Sequence, residues 1–138
     1  MPITPAITNK FKQKLLDGSH DSTDTFKMAL YTEDATLGAS TDAYIPTGEV
    51  ASGNGYTTGG TTMTGFSGTL DGSTAVLTWA DVSWPVATFT ARGALIYNAT
   101  DVTSVMVVDF GSNITSTNGE FKVAMPVADA STGLLRLA

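Results

Sequence analysis

From Phe26 onward, apolar residues recur at every second position, in runs too short for anything but strands. In "TFKMALYT", Phe26, Met28 and Leu30 alternate with Lys27, Ala29 and Tyr31, as expected of a strand with one face in a core. "AVLTW", "ATFTARGALIYN", "SVMVVDFG", "STNGEFKVAMP" and the closing "GLLRLA" read as further strands, the second and third being the most apolar and therefore central. Asp71-Gly72 and Asn118-Gly119 are hairpin turn signals between such runs. Residues 33–48 have no period and form a loop. The Gly- and Thr-rich stretch "GEVASGNGYTTGGTTMTGF" reads as bulged or edge strands joined by tight turns. The count predicts an all-β chain: a single-domain β-sandwich or jelly roll of about seven to eight strands, with one short helix in front.

That helix is predicted over residues 4–17. Thr4 can cap it, Pro5 suits its first position and Gly18 stops it. Ile7, Phe11 and Leu15 form its apolar stripe, widened by Leu16, with Lys10, Lys12 and Lys14 on or near the polar side. Residues 28–138 carry three basic against ten acidic side chains. A mildly basic amphipathic helix is thus attached to an acidic body. Two readings are open: a helix packed on its own domain, or an arm that grips a neighbouring subunit through Ile7, Phe11 and Leu15. "DGSHDSTD" reads as a polar hinge, which divides the chain into an arm with hinge over residues 1–24 and a β-sandwich body over residues 25–138.

The net charge of -6 and pI near 4.4 argue against holding nucleic acid through its phosphates. No apolar run reaches the about 18–20 residues that cross a bilayer, and the N-terminus does not read as a signal peptide. Synthesis in a cytoplasm, with no membrane partner, is the expectation. Cysteine is absent, which excludes disulfides and thiolate metal sites. Charged residues make up only 14%, well under the usual quarter. Such a surface suits a protein packed against copies of itself or a partner.

Arg92 interrupts the most apolar strand. Phe89, Ala91, Gly93 and Leu95 share one of its sides, and Thr90, Arg92, Ala94 and Ile96 the other. Both sides are mostly apolar, so the strand is expected to be covered on both faces. An arginine keeps its proton and is costly to bury unpaired. It must reach solvent or pair with a carboxylate, and Asp81 and Asp109 are the candidates, in a structural ion pair that fixes register.

Residues for chemistry are scarce. His20, the single histidine, lies in a polar loop beside Asp21 and reads as a solvated surface side chain. No serine occupies a nucleophile-elbow pattern. "DGSHDSTD" lacks the spacing of a calcium loop, and "GNGYTTGG" lacks the basic residue and following helix of a phosphate loop. No catalytic, cofactor-binding or metal-ligating residue is assigned, and no enzyme activity is expected. Trp79, Trp84, Tyr44 and Tyr56 could stack on sugars, but "LTWADVSWP" places the two tryptophans at opposite ends of a turn, in the core, with Pro85 ending the segment.

Taken in order, "ITNKFKQKLLDGSHD", "FKMALYT", "GEVASGNGYTTGG", "ARGALIYN" and "FKVAMPVADASTGLLRLA" resemble a family of small virion proteins of tailed bacteriophages. The resemblance spans nearly the whole chain and includes no catalytic motif. It implies a structural component of the particle. The expected role is a capsid decoration, or cement, protein on the head surface, a homo-oligomer and preferably a trimer, bound to the major capsid protein or another virion protein. A tail, baseplate or fibre-anchoring component is the alternative, and a carbohydrate-binding module the second alternative.

Overall fold

A computed structural model describes residues 3–137. Met1 and Pro2 of the predicted arm and Ala138 of the predicted last strand lie outside the described residues. The elements in chain order are β1 (Ala6–Ile7), α1 (Asn9–Leu16), β2 (Phe26–Tyr31), β3 (Thr61–Thr62), β4 (Ser67–Asp71), β5 (Thr74–Thr78), β6 (Val82–Asn98), β7 (Thr103–Val123) and β8 (Leu135–Leu137). They form two antiparallel sheets, one ordered β1-β7-β6-β2-β3 and one ordered β4-β5-β8. The chain is an all-β sandwich with one short helix.

The long β6–β7 hairpin is the backbone of the larger sheet, pairing from Asn98 with Thr103 to Val82 with Val123. Its two halves differ. Residues 93–98 of β6 are buried on both faces, whereas residues 85–90 are largely exposed apart from Ala87 and the half-buried Phe89. On one face of the covered half lies the inter-sheet core, with Phe26, Met28, Leu30, Ala94 and Ile96. On the other lie Ala29, Tyr31, Leu95, Tyr97 and Val107, covered by Ile3 and by Ala35, Leu37, Tyr44 and Ile45 of the 33–48 loop. A loop thus does for this sheet what a third layer does in other folds. The approach of β3 to β2 requires Gly60, at φ 86°, because a Cβ there would run into the Met28 carbonyl.

Three expectations are corrected. The helix begins at Asn9, because Thr8 is its cap, its hydroxyl accepting the Phe11 N–H at 3.2 Å. Residues 6–7 pair instead with β7, and the Thr4 N–H donates to the Leu37 carbonyl. Pro85 does not end a segment: it sits inside β6, exposed, at a register shift between Trp84 and Ala87, where no ladder bond needs its missing N–H. Asn118-Gly119 is a bulge within β7 rather than a turn. Asn118 takes φ 52°, and its N–H donates to the Thr88 hydroxyl at 3.0 Å across the ribbon. The same left-handed preference serves both devices. Asp71-Gly72 does turn the β4–β5 hairpin, with Gly72 at φ 62°.

Val102, in the turn from β6 to β7, has φ 61° and is 51% exposed. A β-branched residue is strained in that region. Val102→Asn should therefore stabilise the fold by about 1 kcal/mol, read as a raised midpoint in urea with unchanged slope; an unchanged or lowered midpoint contradicts the strain.

Candidate functional site

The N-terminal segment is part of the body. Phe11 is buried at 3% exposure, Ile7 and Leu15 pack partly buried against the same core, and α1 lies on β7. Of the two readings of the helix, the structure shows the one in which it docks on its own domain. Leu16, counted with the stripe, points away and is 91% exposed. The hinge is anchored as well. The Asn98 side chain, fully buried at the end of β6, donates to Asp24 Oδ2 at 2.8 Å and reaches His20 Nδ1 at 3.0 Å.

His20 is consequently half-buried rather than solvated. Its ring stacks on Phe11 with centroids 4.9 Å apart and tilts against Phe26 at 5.9 Å. Burial lowers its pKa below the ordinary 6.5; the carboxylates of Asp101 and Asp24 oppose this and Lys14 adds to it. His20 also lines a cavity of about 550 Å3 between α1 and the smaller sheet. The register of that sheet puts Gly68, Leu70, Ala75, Leu77, Leu135 and Leu137 on one face, and all six line this cavity together with Phe11, Leu15 and Phe66. The sandwich is wedge-shaped here. Leu135 is buried at 3%, but Leu70 and Leu137, on the same inward face, are 76% and 55% exposed.

A second cluster gathers all four tyrosines around Glu49. The Tyr44 and Tyr56 hydroxyls donate to Glu49 Oε1 and Oε2, each at 2.5 Å, and the Gly59 N–H donates to Oε2 at 2.8 Å. Tyr97 donates to the Gly59 carbonyl and Tyr31 to the Ile45 carbonyl, both at 2.6 Å. Burial raises the pKa of all four phenols, and the neighbouring Glu49 carboxylate adds to it. The phenols stay protonated and act as donors. The arrangement ties the covering loop to the sheet and leaves no free base or nucleophile. Nothing in the sequence pattern pointed to it: the donors to Glu49 lie 5, 7 and 10 residues from it in stretches without a period, and Tyr31 and Tyr97 come from separate strands.

Arg92 pairs with Asp109, Nε to Oδ1 at 3.0 Å. Gly93 faces Asp109 and Ala91 faces Ile114, so residues 110–113 stand opposite Arg92 alone. Asp109 Oδ1 also accepts the Gly111 N–H at 2.9 Å, which, followed by Arg92, holds its carboxyl below the usual range. The pair thus closes a wide bulge and fixes register. Arg92 keeps 35% of its side chain exposed, so this part of the strand is not sealed on both faces. Asp81, the other candidate partner, is instead 3.5 Å from Lys122 and accepts the Met125 N–H at 2.7 Å. Trp79, Trp84 and Tyr56 are each 3% exposed or less, within the core, so they form no open stacking surface; Tyr44 stacks on Tyr97 at 5.0 Å.

Among the described residues, no group of three or more His, Asp or Glu side chains is placed to hold a metal ion. Among the same residues, no helix is long and apolar enough to cross a membrane. Comparisons with family models, curated proteins and solved structures find no match to this chain.

Glu49→Gln removes the charge from two hydrogen bonds and sets an amide against the Gly59 N–H or a phenol. It should cost about 2 kcal/mol in urea unfolding; a change below about 0.5 kcal/mol would show that the cluster does not hold the loop. His20 gives a pH signature. Its folded pKa lies below its unfolded value, so its stabilising contribution is complete above the unfolded pKa and is lost as pH falls through the folded one. The melting temperature should drop between about pH 7 and about pH 5, and His20→Phe should flatten that interval. An identical slope in the variant would contradict the burial of the imidazole.

Proposed function

We propose that this chain is a structural virion protein of a tailed bacteriophage, a capsid decoration protein that stabilises the head by binding major capsid subunits. The observation that supports it is the surface. Large apolar side chains stand out at separate places on a sparsely charged body: Leu16 at 91% exposure, Val127 at 73%, Val86 at 67% and Ile114 at 42%. Ile114 also lines a hollow of about 400 Å3 on β7, with Val108, Phe110 and Phe121. Scattered patches of this kind suit a brick that touches several neighbours at once. Each contact is modest, and repetition around a symmetric shell adds them through avidity.

The folded geometry alters how such a brick would grip. The buried stripe of α1 is spent on its own domain, so apart from Leu16 the bracing contacts fall to the outer faces of the sheets and their loops. The resemblance in sequence, the all-β body and the exposed apolar positions support the same reading.

Copy number separates the head from the tail. Densitometry of purified virions should find this chain in hundreds of copies per particle, and Val86→Asp with Ile114→Asp should lower its occupancy on heads while leaving its circular dichroism and melting unchanged. A few dozen copies or fewer would move the chain to the tail, and absence from particles would end the virion reading.

A further inference from the structure

We infer that Asn54 is a site of spontaneous modification, at which the backbone nitrogen of Gly55 closes on the Asn54 side chain and converts it to a mixture of aspartate and isoaspartate. The chain holds two Asn-Gly pairs, Asn54-Gly55 and Asn118-Gly119. Glycine in second place leaves the attacking nitrogen least hindered, because no Cβ crowds it; Asn9, Asn98 and Asn113 precede Lys, Ala and Ile. The fold brings both pairs to Thr88. Its N–H donates to the Asn54 carbonyl at 2.9 Å, and its hydroxyl accepts the Asn118 N–H at 3.0 Å.

The two pairs are held differently. Asn54 and Gly55 are exposed, at φ 55° and 94°, in the middle of a turn closed by mutual Gly53 and Tyr56 backbone bonds of 2.8 and 3.0 Å. Among the described residues, neither the Asn54 side-chain amide nor the Gly55 N–H has a hydrogen-bond partner. The Thr88 N–H sits on the carbonyl of the peptide whose nitrogen attacks. When that nitrogen loses its proton, the negative charge spreads to this carbonyl oxygen, where the donor stabilises it. Asn118, by contrast, lies within β7. Gly119 is half-buried and in register with Ala87, and Thr88 ties the Asn118 N–H rather than its carbonyl.

A bond forms from Gly55 N to Asn54 Cγ, the side-chain nitrogen leaves as ammonia, and solvent water opens the resulting succinimide. Cleavage of the new bond gives aspartate. Cleavage of the original peptide bond gives isoaspartate, with the chain running through Cγ. The net change is water gained and ammonia lost, with no oxidant, reductant or partner. Isoaspartate adds a methylene to the main chain inside the turn, so the paired Gly53 and Tyr56 bonds cannot both survive. Tyr56 is 2% exposed, and its hydroxyl donates to Glu49 and accepts the Leu30 N–H at 3.0 Å. The modification therefore loosens the cluster that holds the covering loop.

The test is storage of the full-length protein at mildly alkaline pH until both pairs have converted in a urea-unfolded control, followed by peptide mapping, isoelectric focusing and methyl labelling with an isoaspartyl methyltransferase. In the folded chain Asn54 should be lost at least about fivefold faster than Asn118, with isoaspartate in its peptide. Asn54→Gly, which keeps the left-handed turn, should remove most of the acidic species. The fraction carrying isoaspartate should unfold at lower urea than fresh protein, whereas Asn54→Asp, with the same charge on an ordinary main chain, should stay close to the wild type. The inference is overturned if Asn54 persists in the folded chain, if Asn118 converts as fast or faster, if Asn54→Gly leaves the acidic species undiminished, or if the isoaspartate form is as stable as Asn54→Asp.

Discussion

The structure depends on pairing between two strands, β6 and β7, and on how differently the two halves of that ribbon are covered. Antiparallel pairing supplies the backbone bonds along the whole length, but burial supplies the driving force. The half at residues 93–98 has a core on each side, one shared with the smaller sheet and one roofed by the 33–48 loop. The other half relies on alternation, with Trp84, Ala87 and Ala91 turned inward and Thr88 and Thr90 turned outward. Bulges at Arg92 and at Asn118 let the ribbon change register between these regimes.

The covering loop explains why polar chemistry gathers where it does. A loop packed on a sheet brings backbone groups into a dry place, and each needs a partner. The four phenols and Glu49 meet that need: carbonyls of Ile45 and Gly59 accept from Tyr31 and Tyr97, and the Gly59 N–H finds Glu49. On the opposite face the same requirement is met at the end of β6, where Asn98 holds Asp24 and His20. There it is met incompletely, since His20 Nε2 is shielded from solvent and has no partner among the described residues.

Sequence pattern located strands such as β2, though it read that strand as half-buried, whereas the 33–48 loop also buries Ala29 and Tyr31 on its other face; it carried the Asp71-Gly72 turn because a left-handed residue between two alternating runs has few other uses. It failed at Asn118-Gly119 because a bulge asks for the same backbone and leaves the flanking alternation intact. Helix residues were legible, but not the helix start: Thr4 and Thr8 are equally good caps locally, and only pairing of Ala6 and Ile7 with β7 decides between them. The Arg92–Asp109 pair was readable from the cost of an unpaired guanidinium, though Asp81 was an equal candidate until register was known. His20 was misread because its sequence neighbours are polar, while its spatial neighbours, Phe11, Phe26 and Asn98, come from three other segments. The wedge has no local signal, since it exists only through long-range contacts; the partners of Glu49 lie close to it in sequence but in stretches with no period to mark them.

The claim on which this account stands is that the chain is a self-contained body, with its N-terminal helix docked and its stability concentrated in the doubly covered half of the ribbon. Hydrogen exchange on the isolated protein tests this directly. Amides of residues 93–98 and 105–108 should be the slowest, residues 83–90 and 115–122 markedly faster, and the last turns of α1 protected rather than free. Uniform protection along the ribbon, or an α1 that exchanges like an unfolded peptide, would contradict it.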